Sequence, residues 1–226
     1  DTGFFLCYIR SSRRKKGESG VPVIAITGID GSGKTTFARE LKQHLVSQGV
    51  NAIRLDIPHF STTPFLGWGV RLLVSFFGYR RVENVGYRSL LIVAFILSVL
   101  PLVGLIQFLA RKRTLIVEHY PKIDLVPYAS VYGGRIGRFF GRALSTLFPS
   151  PSLVVFLDAS PETSRIRIVR RNNTIAPHET LARLKTLSWG IRTELLRNGF
   201  EQLVVDTTTE SRVFVIDTIA SRLSHS

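Results

Sequence analysis

The sequence predicts an α/β fold, a five-stranded parallel sheet held between flanking helices in a three-layer sandwich. Three observations carry that expectation. Five short apolar runs alternate with amphipathic stretches, the pattern of parallel strands joined by helical crossovers. The chain has 226 residues, enough for one α/β domain with a sizeable core. A glycine-rich turn, GIDGSGKTT, stands between the first apolar run and the first amphipathic stretch, the context in which such a turn cradles phosphate.

The strands are expected at residues 22–27, 51–56, 114–117, 153–157 and 202–205. All are short and rich in Val, Ile or Leu, as strands buried on both faces must be. The first helix is expected over 35–48. There Phe37, Leu41 and Leu45 recur four apart, and Gly49 stands where a helix C-terminus favours glycine. Ser160 and Pro161 read as the N-cap and first residue of a second helix running to about Arg171. Residues 178–198 and 211–223 complete the helical set.

Ahead of the domain, which should occupy residues 21–226, residues 1–20 carry Arg10, Arg13, Arg14, Lys15 and Lys16. They read as a basic, disordered lead-in, or as a juxtamembrane segment following the apolar residues 3–9. The chain begins at Asp1 and contains no methionine, so a preceding segment is expected. Cys7 is the single cysteine, which rules out a disulfide framework or zinc cluster within one chain and fits a reducing, cytoplasmic location. The formal charge of +14 calls for anionic partners. No aromatic–basic recognition module is visible, so nucleic acid is not expected among them.

The apolar helical segment 64–110 is the irregular part. Its second half, 89–110, is uncharged and would be about 33 Å long if wholly helical, which meets the length criterion for a membrane span. One span would separate the third strand from the first by a bilayer. Three readings therefore stand: a buried helix pair, a surface or re-entrant contact of 64–79 and 89–110 with a membrane, and a two-span hairpin.

The glycines have a physical purpose. Gly28, Asp30, Gly31, Ser32, Gly33, Lys34, Thr35 and Thr36 fall within or beside the pattern G-x-x-x-x-G-K-[ST]. Glycine lets successive N–H groups turn inward with no Cβ in the way. The helix that follows offers its N-terminus to an anion. Lys34 brings a mobile positive charge to the β/γ-phosphates, and the Thr35 hydroxyl is placed to ligate Mg²⁺. This is a nucleotide-phosphate cradle, with ATP and Mg²⁺ as the expected cofactors.

Together with VEHYPKID and PSLVVFLDASPETSRIRIVRR, this motif resembles the thymidylate kinase family of P-loop nucleoside monophosphate kinases, in order from about Val21 to Leu223. The resemblance implies a P-loop NTPase sandwich with an arginine-rich lid. It implies transfer of the γ-phosphoryl group of ATP to a nucleoside monophosphate or similar small phosphorylated acceptor. A homodimer is one assembly it allows. The family's Asp-Arg-Tyr/His motif falls on Glu118, His119 and Tyr120. Glu118 keeps a carboxylate for the metal, alongside Thr35, while His119 and Tyr120 face the acceptor and His119 lacks the fork of the arginine it replaces. Asp56 falls where the family has an acidic residue near the reacting phosphates, with Arg54 and His59 as companions. Gly31, in place of a loop arginine, shifts that charge to the lid, where Arg167 and then Arg170 or Arg171 match. Lys34, Arg167, Arg171 and Asp56 are thus the expected catalytic set. Arg192 matches a family arginine, and Asp158 is expected to fix the end of its strand. Phe95 could stack on a base, but the family's base-reading arginine would fall near Leu97, where none stands. Specificity for dTMP does not follow. Two other readings remain open: a membrane-associated kinase acting on an apolar or lipid-linked acceptor, and a nucleotide-binding module without catalysis.

Overall fold

The computed structural model describes residues 22–57, 102–172, 180–207 and 212–224. Phe95, the basic lead-in, most of the 64–110 segment and the residues just after the arginine-rich helix lie outside the described residues.

Five strands form one parallel sheet: β1 (Val23–Thr27), β2 (Ala52–Asp56), β3 (Thr114–Glu118), β4 (Leu153–Asp158) and β5 (Gln202–Asp206), in the order β2-β3-β1-β4-β5. β1 is central, and its successive residues face opposite ways. Ile24 and Ile26 meet Phe37, Leu41 and Leu45 of α1 (Lys34–Ser47) and Ile219 of α6 (Arg212–Ser224). Val23 and Ala25 face the second layer, formed by α2 (102–109), α3 (Pro121–Ser145) and α5 (Leu181–Asn198). Each fully buried Leu or Ile here contributes roughly 1.5–3 kcal/mol. α4 (Pro161–Asn172) follows β4. Because the chain leaves β1 toward β2 and β3 on one side and β4 and β5 on the other, a crevice opens at the C-terminal end of β1, where open α/β sheets bind ligands.

The five expected strands are present, with ends displaced by one residue. β3, β4 and β5 each run one further, because Glu118 pairs in register with Asp56 and Asp158 with Asp206. A charged residue looks like a stop signal in sequence, yet the ladder continues through it. The helices conform closely. α1 closes as a Schellman motif, with the Val50 and Gly49 amides donating to Leu45 and Val46 carbonyls at 3.0 Å each. Ser160 caps α4, its hydroxyl accepting from the Thr163 amide at 3.0 Å.

α3 was not visible in the sequence pattern. It contains Pro127 and breaks at Gly134, whose φ of 58° and ψ of −135° reverse the chain. The second limb folds back on the first so closely that a Cβ on Gly137 would stand 2.0 Å from the Ala129 carbonyl oxygen. Helix breakers thus mark a hairpin of two helical limbs, a tertiary arrangement that periodicity over one window cannot reveal. Of the apolar 89–110 segment, the described part is α2, and no helix among the described residues is long and apolar enough to cross a membrane.

Candidate functional site

The turn after β1 builds the site. Gly28 and Gly31 have φ of 148° and 79°, and a Cβ on Gly31 would stand 2.5 Å from the Ser164 carbonyl oxygen on α4. Positive φ and close approach together make glycine obligatory there. Gly33, also left-handed, is the N-cap of α1. No side chain caps that helix and no acidic residue lies in its first turn, so the amides of Lys34, Thr35 and Thr36 remain available to an anion. The Ser32 hydroxyl is buried in the turn with no hydrogen-bond partner among the described residues.

Lys34 lies inside the turn, 5% exposed, and its ammonium donates to the Gly28 and Ile29 carbonyls at 2.8 Å each. Asp30 is 3.8 Å away. Burial pushes the Lys34 pKa down; the carboxylates of Asp30, Asp124 and Glu118 pull it back up, and Arg171 lowers it further.

Glu118, at the end of β3, is 1% exposed. Its Oε2 accepts from the Thr35 hydroxyl at 2.9 Å, and its Oε1 accepts from Arg54 Nε. Asp56, opposite Glu118 in the ladder, is more than half exposed and 3.5 Å from Arg54 Nη2. His119 is the single non-glycine with positive φ, 54°, among the described residues, and its Nδ1 lies 3.9 Å from Asp124 Oδ2. Asp124, fully buried in the first turn of α3, also accepts from the Thr27 hydroxyl, so it links His119 to the last residue before the turn.

On α4, Arg167 and Arg171 are four residues apart and share a face. Arg167 donates to the Thr207 hydroxyl and carbonyl at 3.0 Å each and to the Gly31 carbonyl at 3.4 Å, joining α4, the glycine turn and the segment after β5. Arg165 and Arg170 lie elsewhere, lining a separate groove with Glu162, Ile166, Val169 and Leu181. Arg192 clasps both oxygens of Asp158, at 2.7 and 2.6 Å, and lies over the Phe156 ring.

The structure thus joins the phosphate turn to Glu118 through Thr35, Glu118 to Asp56 through Arg54, and Arg167 to the Gly31 carbonyl, while His119 follows Glu118 directly. Asp56 also lines a groove with Arg39, Lys42, Gln43 and Val46, and Arg171 bonds its neighbour Asn172. Tyr120 is placed differently. Its ring is in the core, where burial raises its pKa, and its phenol donates to the Pro149 carbonyl at 2.7 Å, which anchors the start of α3. Thr27 with Asp124, and Thr207 with Arg167, were not expected from the sequence, since these partners lie 97 and 40 residues apart and no spacing rule connects them.

The sequence profile of the family described as Thymidylate kinase matches residues 26–211. The chain is 28% identical over 157 residues to a probable thymidylate kinase 1 of Saccharolobus solfataricus, covering 65% of this chain and 69% of that protein. It is 27% identical over 148 residues to a probable thymidylate kinase of Sulfolobus acidocaldarius, covering 65% of this chain and 68% of the relative. The match runs from the phosphate turn to the start of the final helix, on a parallel sheet with the strand order given above, and on that ground the chain belongs to the thymidylate kinase family.

Proposed function

We propose that the protein transfers the γ-phosphoryl group of ATP to a nucleoside monophosphate or a similar small phosphorylated acceptor, with Mg²⁺. The observation that carries this is the hydrogen bond between Thr35, in the first turn after the phosphate loop, and the buried Glu118. It brings two hard oxygen donors together beside a polyphosphate cradle.

Those two residues suit Mg²⁺, which typically takes one or two protein oxygens and fills the rest of its shell with phosphate and water. Among the described residues no cluster of three His, Cys, Asp or Glu competes for that role. When bound, Mg²⁺ neutralises charge on the polyphosphate. The chain's own residues do the rest. The turn amides and the Ser32 hydroxyl hold the phosphates. Lys34 exchanges its two carbonyl partners for phosphate oxygens, an exchange between acceptors that costs little desolvation because the group is already buried.

An oxygen of the acceptor phosphate attacks the γ-phosphorus in line. The bond from that phosphorus to the bridging oxygen breaks, and ADP leaves with the electron pair. Arg171 faces the developing charge, and Arg167 ties its helix to the loop so that this charge arrives in register. Asp56 orients the acceptor or metal-bound water, and His119, steadied by Asp124, meets the acceptor phosphate. Tyr120 supports that segment from the core.

The relatives' names point to thymidylate as one acceptor, whereas the uncharged surroundings of Leu97 argue against reading thymine in the family manner. ATP consumption against dTMP, dUMP, UMP, CMP, AMP and phosphorylated sugars, with Lys34→Ala as blank, tests both points. Turnover with at least one acceptor, lost in Lys34→Ala, is expected. No turnover with any of them would leave only a nucleotide-binding module, and dTMP as the best acceptor would overturn the argument about base reading.

A further inference from the structure

We propose that Arg54 is a positioning residue that fixes the carboxylate of Glu118 for the metal–nucleotide complex; the inference rests on the phosphotransferase reading above. In the parallel ladder Asp56 stands opposite Glu118 and Arg54 opposite Ile116. Residues two apart on a strand share a face, so Arg54, Asp56 and Glu118 rise from the same side of the sheet. Two carboxylates facing each other across a ladder repel, and a carboxylate as buried as Glu118 is costly unless paired.

Arg54 answers both problems with one planar group. Its Nε donates to Glu118 Oε1, and its Nη2 lies 3.5 Å from Asp56 Oδ2. The oxygens of Glu118 are thereby divided. Oε1 belongs to the arginine, and Oε2 is turned to the Thr35 hydroxyl at 2.9 Å, on the phosphate side. The glutamate carboxylate stands on a flexible two-carbon stem. Such a carboxylate needs a tether to present one oxygen reproducibly, and outer partners of metal ligands serve that purpose. Lysine could neutralise the charge but could not span both carboxylates with a rigid fork. Arg54 does not touch the nucleotide; it acts through Glu118.

The test is calorimetric titration of the full chain with ATP, with and without Mg²⁺, which needs no acceptor. Wild-type protein should bind ATP more tightly with Mg²⁺. Arg54→Ala should lose about tenfold or more of that Mg²⁺-dependent gain, while metal-free ATP binds within about twofold of wild type, and Arg54→Lys should recover part of the loss. In a Glu118→Gln background, Arg54→Ala should add nothing further. An unmoved Mg²⁺ dependence in Arg54→Ala, or an equal extra loss in the Glu118→Gln background, would overturn the proposal. If Arg54→Ala does not fold, Arg54→Gln and Arg54→Lys carry the same test, and wild-type behaviour in both would overturn it. Wild-type protein that takes MgATP without turnover sinks phosphotransfer alone. Normal turnover with an unmoved Arg54→Ala sinks the positioning role alone.

Discussion

Lys34 carries its charge against the preference of its surroundings. Burial is the largest influence on it and lowers its pKa below the ordinary 10.5, against the pull of Asp30, Asp124 and Glu118. The unfolded chain therefore holds this proton more tightly than the folded one. The resulting penalty is complete below the folded pKa and fades as pH rises toward 10.5, so from this group the unfolding free energy climbs with pH in that window. Denaturant melts of wild type and Lys34→Met should show a stability difference that changes in wild type's favour as pH rises from neutral toward 10.5, and a difference flat in pH would refute this. Function keeps the ammonium where stability alone would not. Gly31 is constrained by space and backbone at once. Gly31→Ala, with φ of 79° and a Cβ 2.5 Å from the Ser164 carbonyl oxygen, should cost about 1–3 kcal/mol in chemical denaturation and weaken ATP binding by parting α4 from the turn. At this scale the sequence was most legible for the phosphate turn, where a local pattern and a local geometry coincide. It was least legible for Asp124, whose partner Thr27 reaches it only once β1 has paired with β3.

Elements carry the site's cationic half. α4 is capped by Ser160, whose hydroxyl accepts from the Thr163 amide, and it bears Arg167 and Arg171. Ser160→Ala should lower stability by about 1 kcal/mol and raise the Kd for MgATP, with Ser160→Asp restoring both; unchanged nucleotide affinity would show that the helix end does not govern the arginines. α3 is an element that packing created. Gly137→Leu should destabilise the protein by several kcal/mol, about the cost of overpacking or more, because the Ala129 carbonyl already occupies the space a side chain would need. A thermal midpoint equal to wild type would contradict the hairpin. β1, β3 and β4 were readable in the sequence because burial on both faces leaves a continuous apolar run, whereas the edge strands β2 and β5 are only partly buried, contrary to the expectation for all five. α3 was not readable, because Pro127 and Gly134 break the run that a straight helix would show.

The whole molecule is a sheet whose connections divide at β1, and that division places every described group of the site at one end of the strands. Nucleotide binding at such a junction stabilises the fold by linkage. MgATP at one hundred times its Kd should add about 2.7 kcal/mol, a rise of roughly 5–10 °C in melting temperature, and Lys34→Ala should show almost none of it. A wild-type midpoint unmoved by saturating MgATP would count against the phosphate cradle itself.

By itself the sequence determined the strands, the helices with clear periodicity, the phosphate turn and the family, because each is written in residues close together along the chain. The tertiary structure alone decided that Tyr120 serves the core, that Arg167 binds Thr207 and the glycine turn, and that Arg54 shares its guanidinium between Asp56 and Glu118. Except for Arg54 and Asp56, neighbours on one strand, those pairings join residues far apart in sequence. Their partners are chosen by strand order and register, which no local pattern contains.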